Sequence, residues 1–321
     1  MHNPPLPVQP DVCVIIAAYN AQATIARAIQ SALNQPEAAE VIVVDDASTD
    51  DTVHIARAVF DSRGRLKVLV QPRNCGPSAA RNRAIRESTS PWIAILDADD
   101  FFLPGRIKGL LTFSDNADLI ADDMWQVAEN AVEGPRKSLL GTPLMEPRTI
   151  RFAEFVLSNV TRRGRNRGEL GFIKPLMRRQ LLADHNIIYQ EHMRLGEDFE
   201  LYARALALGA RLILIPAQGY ISVVRPNSLS GQHSETDLMH LRDCDNILES
   251  SVPLSKTDKK VLRQHYKSVD CRLQWRLLII AFKNKDISGA MSTFLRPWPV
   301  PLYLFEQLLL QVYLRSIPNK K

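Results

Sequence analysis

The sequence predicts an α/β fold: a doubly wound, mostly parallel sheet with helices on both faces, followed by a helical C-terminal region. Three observations predict it. Short apolar runs ending in polar clusters recur at Val12–Ala18, Glu40–Val44, Leu66–Val70 and Trp92–Leu96. Between them, residues such as Ile25, Ile29 and Leu33 recur at helical spacing. From Glu235 onward only the helical period remains. Uninterrupted apolar runs mark strands covered on both faces, and strand–helix alternation builds parallel sheets.

Val12–Ala18 is the first strand, and Tyr19-Asn20 turns the chain into a helix that lays Ile25, Ile29 and Leu33 on the sheet. Glu40–Val44 ends in Asp45-Asp46. Ser48 or Thr49 is expected to cap the next helix, with Asp50 and Asp51 favourable in its first turn and Val53, Ala56 and Phe60 facing inward. Leu66–Val70 is the third strand, and Gly76-Pro77-Ser78 opens a helix through Ala80, Ala84 and Ile85. Trp92–Leu96 delivers Asp97, Asp99 and Asp100 to the sheet edge; Pro104 restarts a helix and Ala117–Ala121 reads as a strand. Glu129–Arg148 reads as irregular, Thr149–Val160 as one helix and Arg162–Arg167 as a basic loop. Gly196-Glu197-Asp198 precedes a helix whose inner face is Leu201, Ala205 and Leu208; short strands follow at Leu212–Ile215 and Tyr220–Val224. The stripes Leu238, Leu241, Cys244, Leu248 and Leu262, Tyr266, Val269, Leu273 read as core.

With 321 residues, 45% of them apolar, the chain can bury a sizeable core, which excludes wholesale disorder. A net charge of +5 suits anionic partners such as nucleotides, lipid pyrophosphates or a membrane surface. No basic-aromatic module of the nucleic-acid-binding kinds is present, so no nucleic acid is expected as a partner. The four cysteines, Cys13, Cys75, Cys244 and Cys271, form no CxxC pair, which suits a reducing cytoplasm and excludes a structural zinc site. Residues 1–10 read as a flexible Pro-rich segment without the regions of a secretion signal. No window reaches the roughly 18 apolar residues of a spanning helix. The nearest, Trp298–Leu314, is broken by Pro299, Pro301, Glu306, Gln307 and Gln311. Flanked by Arg296, Arg315, Lys320 and Lys321, it reads as an interfacial helix, a helix packed on the main domain, or a dimer contact. Oligomeric state is left open.

Tyr19, Asn20, Asp45, Asp46, Asp97 and Asp99 all fall at carboxyl ends of strands, where doubly wound sheets bind ligands. Adjacent carboxylates repel, and a cation relieves them. Hard oxygen ligands favour Mg2+ or Mn2+, an ion that would carry phosphates. The competing reading is an acidic turn that caps the next helix.

The segments Val14-Ile15-Ile16-Ala17-Ala18-Tyr19-Asn20, Val43-Val44-Asp45-Asp46-Ala47-Ser48-Thr49-Asp50, Gly76-Pro77-Ser78-Ala79-Ala80-Arg81-Asn82, Asp97-Ala98-Asp99 and Gly196-Glu197-Asp198 occur in that order. Together they resemble the family 2 glycosyltransferases of GT-A fold, in particular bacterial exopolysaccharide glucosyltransferases of the succinoglycan type. The resemblance spans roughly residues 10 to 230. It implies a catalytic domain over 11–234, with a nucleotide-binding half to about 130 and an acceptor half from 131. Residues 235–321 then form a helical extension, with association to a membrane as one reading.

The resemblance implies an inverting, metal-dependent transfer of one hexose, glucose favoured, from a UDP-sugar to a lipid-linked saccharide at the cytoplasmic face of the inner membrane. Asp99 matches the metal-binding acid of the DXD motif, with Asp97 on the ribose or a metal-bound water. Asp46 matches the acid that accepts from the uracil N–H; Ala17 offers backbone groups to the base, and Tyr19 either stacks on it or packs in the core. Arg81 lies near the nucleotide, or is held in an ion pair with Asp45 or Asp97. Asp198 matches the catalytic base, Glu197 being the second choice, or both acids cap the helix. Arg225, Ser228 and Ser230 belong to a loop placed over the diphosphate or acceptor. His233 is either a further metal ligand or a surface histidine. The basic loop Arg162–Arg167 is either a contact for anionic lipid or a solvated loop.

Ala17-Ala18 stands where many relatives carry a hydroxyl or proline, so base contacts there rest on the backbone. No Q-x-x-R-W run of the processive synthases is present; Gln274-Trp275-Arg276 is out of order. Single-sugar addition is therefore expected. Two other classes compete: a nucleotidyltransferase, disfavoured because Ala17-Ala18-Tyr19-Asn20 is not a Gly-rich phosphate loop, and a noncatalytic nucleotide- or sugar-binding protein, disfavoured by the retained acids.

Overall fold

A computed structural model describes residues 12–160, 169–225 and 233–316. The first half runs β1 (Val12–Ala18), α1 (Ile25–Leu33), β2 (Ala38–Asp45), α2 (Thr52–Ala58), β3 (Leu66–Val70), α3 (Pro77–Glu87), β4 (Trp92–Ile95), β5 (Phe101–Phe102), α4 (Arg106–Leu111), β6 (Leu119–Asp122) and β7 (Trp125–Ala128). It continues with β8 (Lys137–Ser138), β9 (Arg148–Ile150), α5 (Phe152–Ser158), β10 (Leu176–Arg178), α6 (Arg179–Asp184), α7 (Glu197–Ala207), β11 (Leu212–Ile215) and β12 (Tyr220–Val224). Four helices close it: α8 (Glu235–Ser251), α9 (Lys256–Lys283), α10 (Ile287–Phe294) and α11 (Val300–Ser316).

The main sheet has the order β3-β2-β1-β4-β10-β6-β11-β9, with β10 and β9 antiparallel to their neighbours and the rest parallel. Alternation along β1 explains the two layers of helices. Cys13 and Ile15 face one core, shared with Ala80 and Ala84 of α3 and with α5, α7 and α8. Val12, Val14 and Ile16 face the other, shared with Ile25 and Ile29 of α1 and Ile107 of α4. The strands are therefore buried on both faces, as their unbroken apolar runs require.

Leu238, Leu241, Cys244 and Leu248 of α8 and Leu262, Val269 and Leu273 of α9 join the first of these cores. His265 of α9 lies 2.8 Å from Asp245 of α8 and stacks on Phe199 of α7 at 4.2 Å. The far half of α9 instead packs with α10 and α11 through Cys271, Leu278, Ala281, Ala290, Val300 and Leu304.

Several local expectations differ from the structure. Neither Ser48 nor Thr49 caps α2, which begins only at Thr52. Asp50 accepts from the Thr52 amide at 3.0 Å, while Ser48 and Thr49 bind across to Asn20. Phe60 is exposed; Ile55 and Val59 supply the contacts instead. Thr149 and Ile150 are not helical but pair β9 with β11, and the helix starts at Phe152. After Pro104, α4 begins at Arg106, behind Gly105 in the left-handed region. A second sheet, β5-β12-β7-β8, was not expected at all. Of its strands only Tyr220–Val224 was read from the sequence; the other three are two to four residues long, too short for a period to declare itself.

Candidate active site

The end of β4, helix α3 and the start of α7 meet around one buried guanidinium. Arg81 of α3, 4% exposed, donates to Asp97 beyond β4 at 2.9 Å, to Glu197 at 2.9 Å and to Asp198 at 3.4 Å. Its guanidinium also lies over the Tyr189 ring, 5.3 Å from the centroid. The ion pair with Asp97 was one of the two open readings for Arg81; the link to both acids of α7 was not. Burial alone would lower the Arg81 pKa, but Asp198 and Asp97 outweigh it and hold it well above its ordinary value.

A second cation completes the cluster. Lys174, in the segment before β10, places Nζ 2.5 Å from Asp198 and 3.0 Å from Asp97. Burial opposes its charge, yet Asp198 and Asp97 raise its pKa above the usual lysine value. Burial likewise opposes the charge on Asp97, but Lys174 and then Arg81 bring its pKa down to about 2. Sequence reasoning missed Lys174. The available signal was a lone lysine inside Leu170-Gly171-Phe172-Ile173-Lys174-Pro175-Leu176-Met177, where an ammonium is costly unless paired.

Glu197 and Asp198 are the first residues of α7, behind Gly196. Gly196 has φ +72°, and an added Cβ would lie 2.5 Å from Leu241 Cδ1, so the turn that presents both acids needs glycine. The helix start also favours their charge.

Asp99 sits differently. Its carboxylate is partly exposed and 3.7 Å from Arg225 Nε, while its carbonyl accepts from Arg27 at 2.8 Å. Burial and the neighbouring Asp97 raise its pKa. Asp100 is buried and accepts from the Val223 amide at 2.8 Å; burial, Asp97 and Asp99 push its pKa well up. Crowded acids with raised pKa values are relieved by a cation, so the residues fit a divalent ion. Both oxygens of Asp97 are already engaged by cations, which leaves Asp99 as the candidate ligand. Among the described residues no three His, Cys, Asp or Glu side chains are arranged around a common ion site. A metal held mainly by one carboxylate and substrate phosphates matches the usual habit of Mg2+. Asp99→Asn is expected to abolish metal-supported UDP binding; titration with the ion present checks it, and unchanged affinity would remove Asp99 as the ligand.

Tyr19, expected near the base, is half exposed rather than packed in the core, and Ala17 is the next-to-last residue of β1. Asp46 is buried and accepts from the amides of Cys75 at 2.8 Å and Gly76 at 2.7 Å and from Gln71 at 2.6 Å. Three of its roughly four lone-pair positions are thus occupied, leaving about one for a ligand. Asp45 accepts from the Ser48 amide at 2.9 Å, and its Oδ1 is buried without a partner. Asn82 binds the backbone of Tyr189 on both its amide and carbonyl sides, at 2.9 Å each. His233 stands just before the capping box of α8, near Asp237. Ser228, Ser230 and the basic loop Arg162–Arg167 lie outside the described residues.

Behind the cluster, Arg106 is fully buried. It donates to Asp122 at 2.8 and 3.1 Å and to the Lys174 carbonyl at 2.7 Å. The Tyr220 hydroxyl accepts from the Asp97 amide at 3.2 Å. These contacts fix the backbone on which Lys174 and Asp97 stand.

The sequence model described as Glycosyl transferase family 2 matches residues 13–172. The chain is 48% identical over 292 residues to the succinoglycan biosynthesis protein ExoU of Rhizobium meliloti (strain 1021), covering 91% of this chain and 84% of that protein. It is 38% identical over 104 residues to the UDP-Glc:alpha-D-GlcNAc-diphosphoundecaprenol beta-1,3-glucosyltransferase WfaP of Escherichia coli, covering 32% of this chain and 40% of that protein. Among solved structures, S. aureus TarS 1-349 in complex with UDP-GlcNAc matches with TM-score 0.62 at 20% identity, over 87% of this chain and 89% of that one. The mannosyltransferase PcManGT from Pyrobaculum calidifontis, in complex with GDP-Man and Mn2+, gives 0.59 at 17% identity, over 98% and 88%. The sheet order and strand-end acids agree with these likenesses: the chain belongs to glycosyl transferase family 2 and is a glycosyltransferase of GT-A fold.

Proposed function

We propose that this enzyme transfers one hexose, glucose favoured, with inversion from a UDP-sugar to a lipid-linked saccharide in exopolysaccharide synthesis. The observation that carries the reading is Arg81, which ties the strand-end acid Asp97 to the α7 acids Glu197 and Asp198 within one buried cluster. A nucleotide site and a proton acceptor are thus held a side chain apart. The ExoU likeness supports the polysaccharide context, and the names of WfaP and TarS support a UDP-linked donor.

Tyr19, Ala17 and Asp46 hold the base. Asp97 orients the ribose side, and Arg225 meets the diphosphate. A divalent ion on Asp99 would supply charge for the departing diphosphate. Asp198 takes the proton of the acceptor hydroxyl as that oxygen bonds the anomeric carbon from the face opposite the leaving group. The anomeric carbon–oxygen bond to the diphosphate breaks, and UDP leaves with the bonding pair. Arg81 and Lys174 hold the Asp198 carboxylate in place before attack. A lipid-linked acceptor places the reaction on the cytoplasmic face of the inner membrane. Among the described residues no helix is long and apolar enough to cross a membrane, and the association proposed is peripheral.

Calorimetric titration with UDP, with and without Mn2+, tests the donor. Metal-dependent binding is expected; binding of GDP or dTDP in its place would overturn the UDP assignment. Lys174→Met tests the cluster. Loss of the ammonium raises the pKa of Asp97, which Lys174 holds down, so the acid limb of the kcat profile should move to higher pH and kcat should fall by about tenfold or more. Lys174→Arg should restore part of both. An unmoved acid limb would reduce Lys174 to a structural part.

A further inference from the structure

The C-terminal helices carry a surface that the reaction site does not use. Along α9 a step of about 100° per residue puts Lys256, Lys260, Arg263 and Lys267 on the same face as Cys271, Leu278 and Ala281. The C-terminal part of that face is covered by α10 and α11. The N-terminal part is open: Lys256, Lys259, Lys260, Arg263, Gln264 and Lys267 line a hollow of about 530 Å³. Arg263 is paired there with Glu249 at 2.8 Å.

Helix α11 turns Val300 and Leu304 onto α9. By the same rotation Leu302, Phe305, Leu309 and Val312 point the opposite way, and all four are exposed, by 42 to 67%. The helix is therefore apolar on both sides, which is stable only when the outer side is covered as well. Helix α11 packs on the C-terminal part of the α9 face whose N-terminal part carries the cations. Trp298, just before the helix, is exposed too.

We propose that this surface seats an anionic phospholipid membrane, with the outer face of α11 in the headgroup–acyl boundary and the α9 cations on lipid phosphates. Charge complementarity selects that occupant. A second copy docked through the same face would set its own five cations against these five. A neutral apolar partner would leave them unanswered. An interfacial helix of modest apolar area holds a membrane weakly, and nearby lysines supply the rest of the affinity on anionic lipid. The proposal deepens the reading of a lipid-linked acceptor and rests on it for its purpose, since a membrane seat brings the site to such an acceptor.

The test is sedimentation of the full chain with vesicles of phosphatidylcholine alone and with about one-third phosphatidylglycerol. The mixed vesicles should bind at least about tenfold better, and high salt should remove most of the difference. The pair Lys256→Glu with Lys260→Glu should abolish the preference for anionic lipid. The pair Phe305→Ser with Leu309→Ser should weaken binding to both kinds of vesicle. All four side chains are exposed, so UDP binding and the unfolding temperature should not change. Equal sedimentation with both vesicles, variants that bind like the parent, or a lipid-free dimer dissolved by the serine pair would each overturn the proposal. Failure of UDP titration in the same preparations would count against the transfer reaction alone, and the vesicle result would stand apart from it.

Discussion

Asp198→Asn is expected to lower kcat by about a hundredfold or more, because an amide cannot take the acceptor proton as bonding proceeds. The asparagine keeps the shape of the side chain, but its single oxygen can accept from only one of Arg81 and Lys174 and its N–H groups face the other. The nucleotide end proposed at Tyr19 and Asp46 lies outside the contacts of Asp198, so UDP affinity should stay close to that of the parent. The variant also removes one negative charge from a buried cluster of Arg81, Lys174, Asp97, Glu197 and Asp198, and some loss of stability should accompany the loss of rate. Unfolding curves separate the two effects. A folded variant that binds UDP and turns over at the parental rate would transfer the base assignment to Glu197, whose carboxylate shares the same guanidinium 2.9 Å away.

Asp122→Ala carries the largest expected effect on stability, about 3–5 kcal/mol. Arg106 and Asp122 are both fully buried, and the carboxylate also accepts from the amides of Gln218 and Gly219 at 3.0 and 3.1 Å. Alanine leaves a buried guanidinium without its counter-charge and these amides without an acceptor. Urea unfolding measures the loss; a change under about 1 kcal/mol would show that the pair is replaceable by solvent. Arg106→Met combined with Asp122→Leu should recover much of the stability, since a packed apolar pair costs little where a broken ion pair costs much. It should not recover full activity, because Arg106 also holds the Lys174 carbonyl.

The parts that could be read in the sequence are those governed by local pattern. β1 and β3 come out with the expected bounds, and β2 and β4 within a residue or two, because unbroken apolar runs leave few alternatives. Arg81, Asp97 and the pair Glu197 and Asp198 were chosen from three separate motifs, and the structure brings all four residues together. The role of Lys174 was hidden because its meaning lies in two acids far away in the chain. The second sheet was hidden because β5, β7, β8 and β12 are joined only by tertiary pairing. Phe60 misled through its period: the last turn of α2 ends before it, and Val59 takes the inner position.

The two halves of α9 answer to different neighbours, and that bears on how far the chain can be shortened. A chain ending at residue 234 would uncover the side of Phe199 that His265 closes and expose the surface that Leu241 and Leu262 now cover. Such a fragment should be insoluble even though every residue assigned to chemistry is still in it. A chain ending inside α9 after Leu273 would keep the inner half of that helix and discard the part that only α10 and α11 use. The smallest working enzyme is thus set by a splint on the back of the sheet, about forty residues beyond the last catalytic motif.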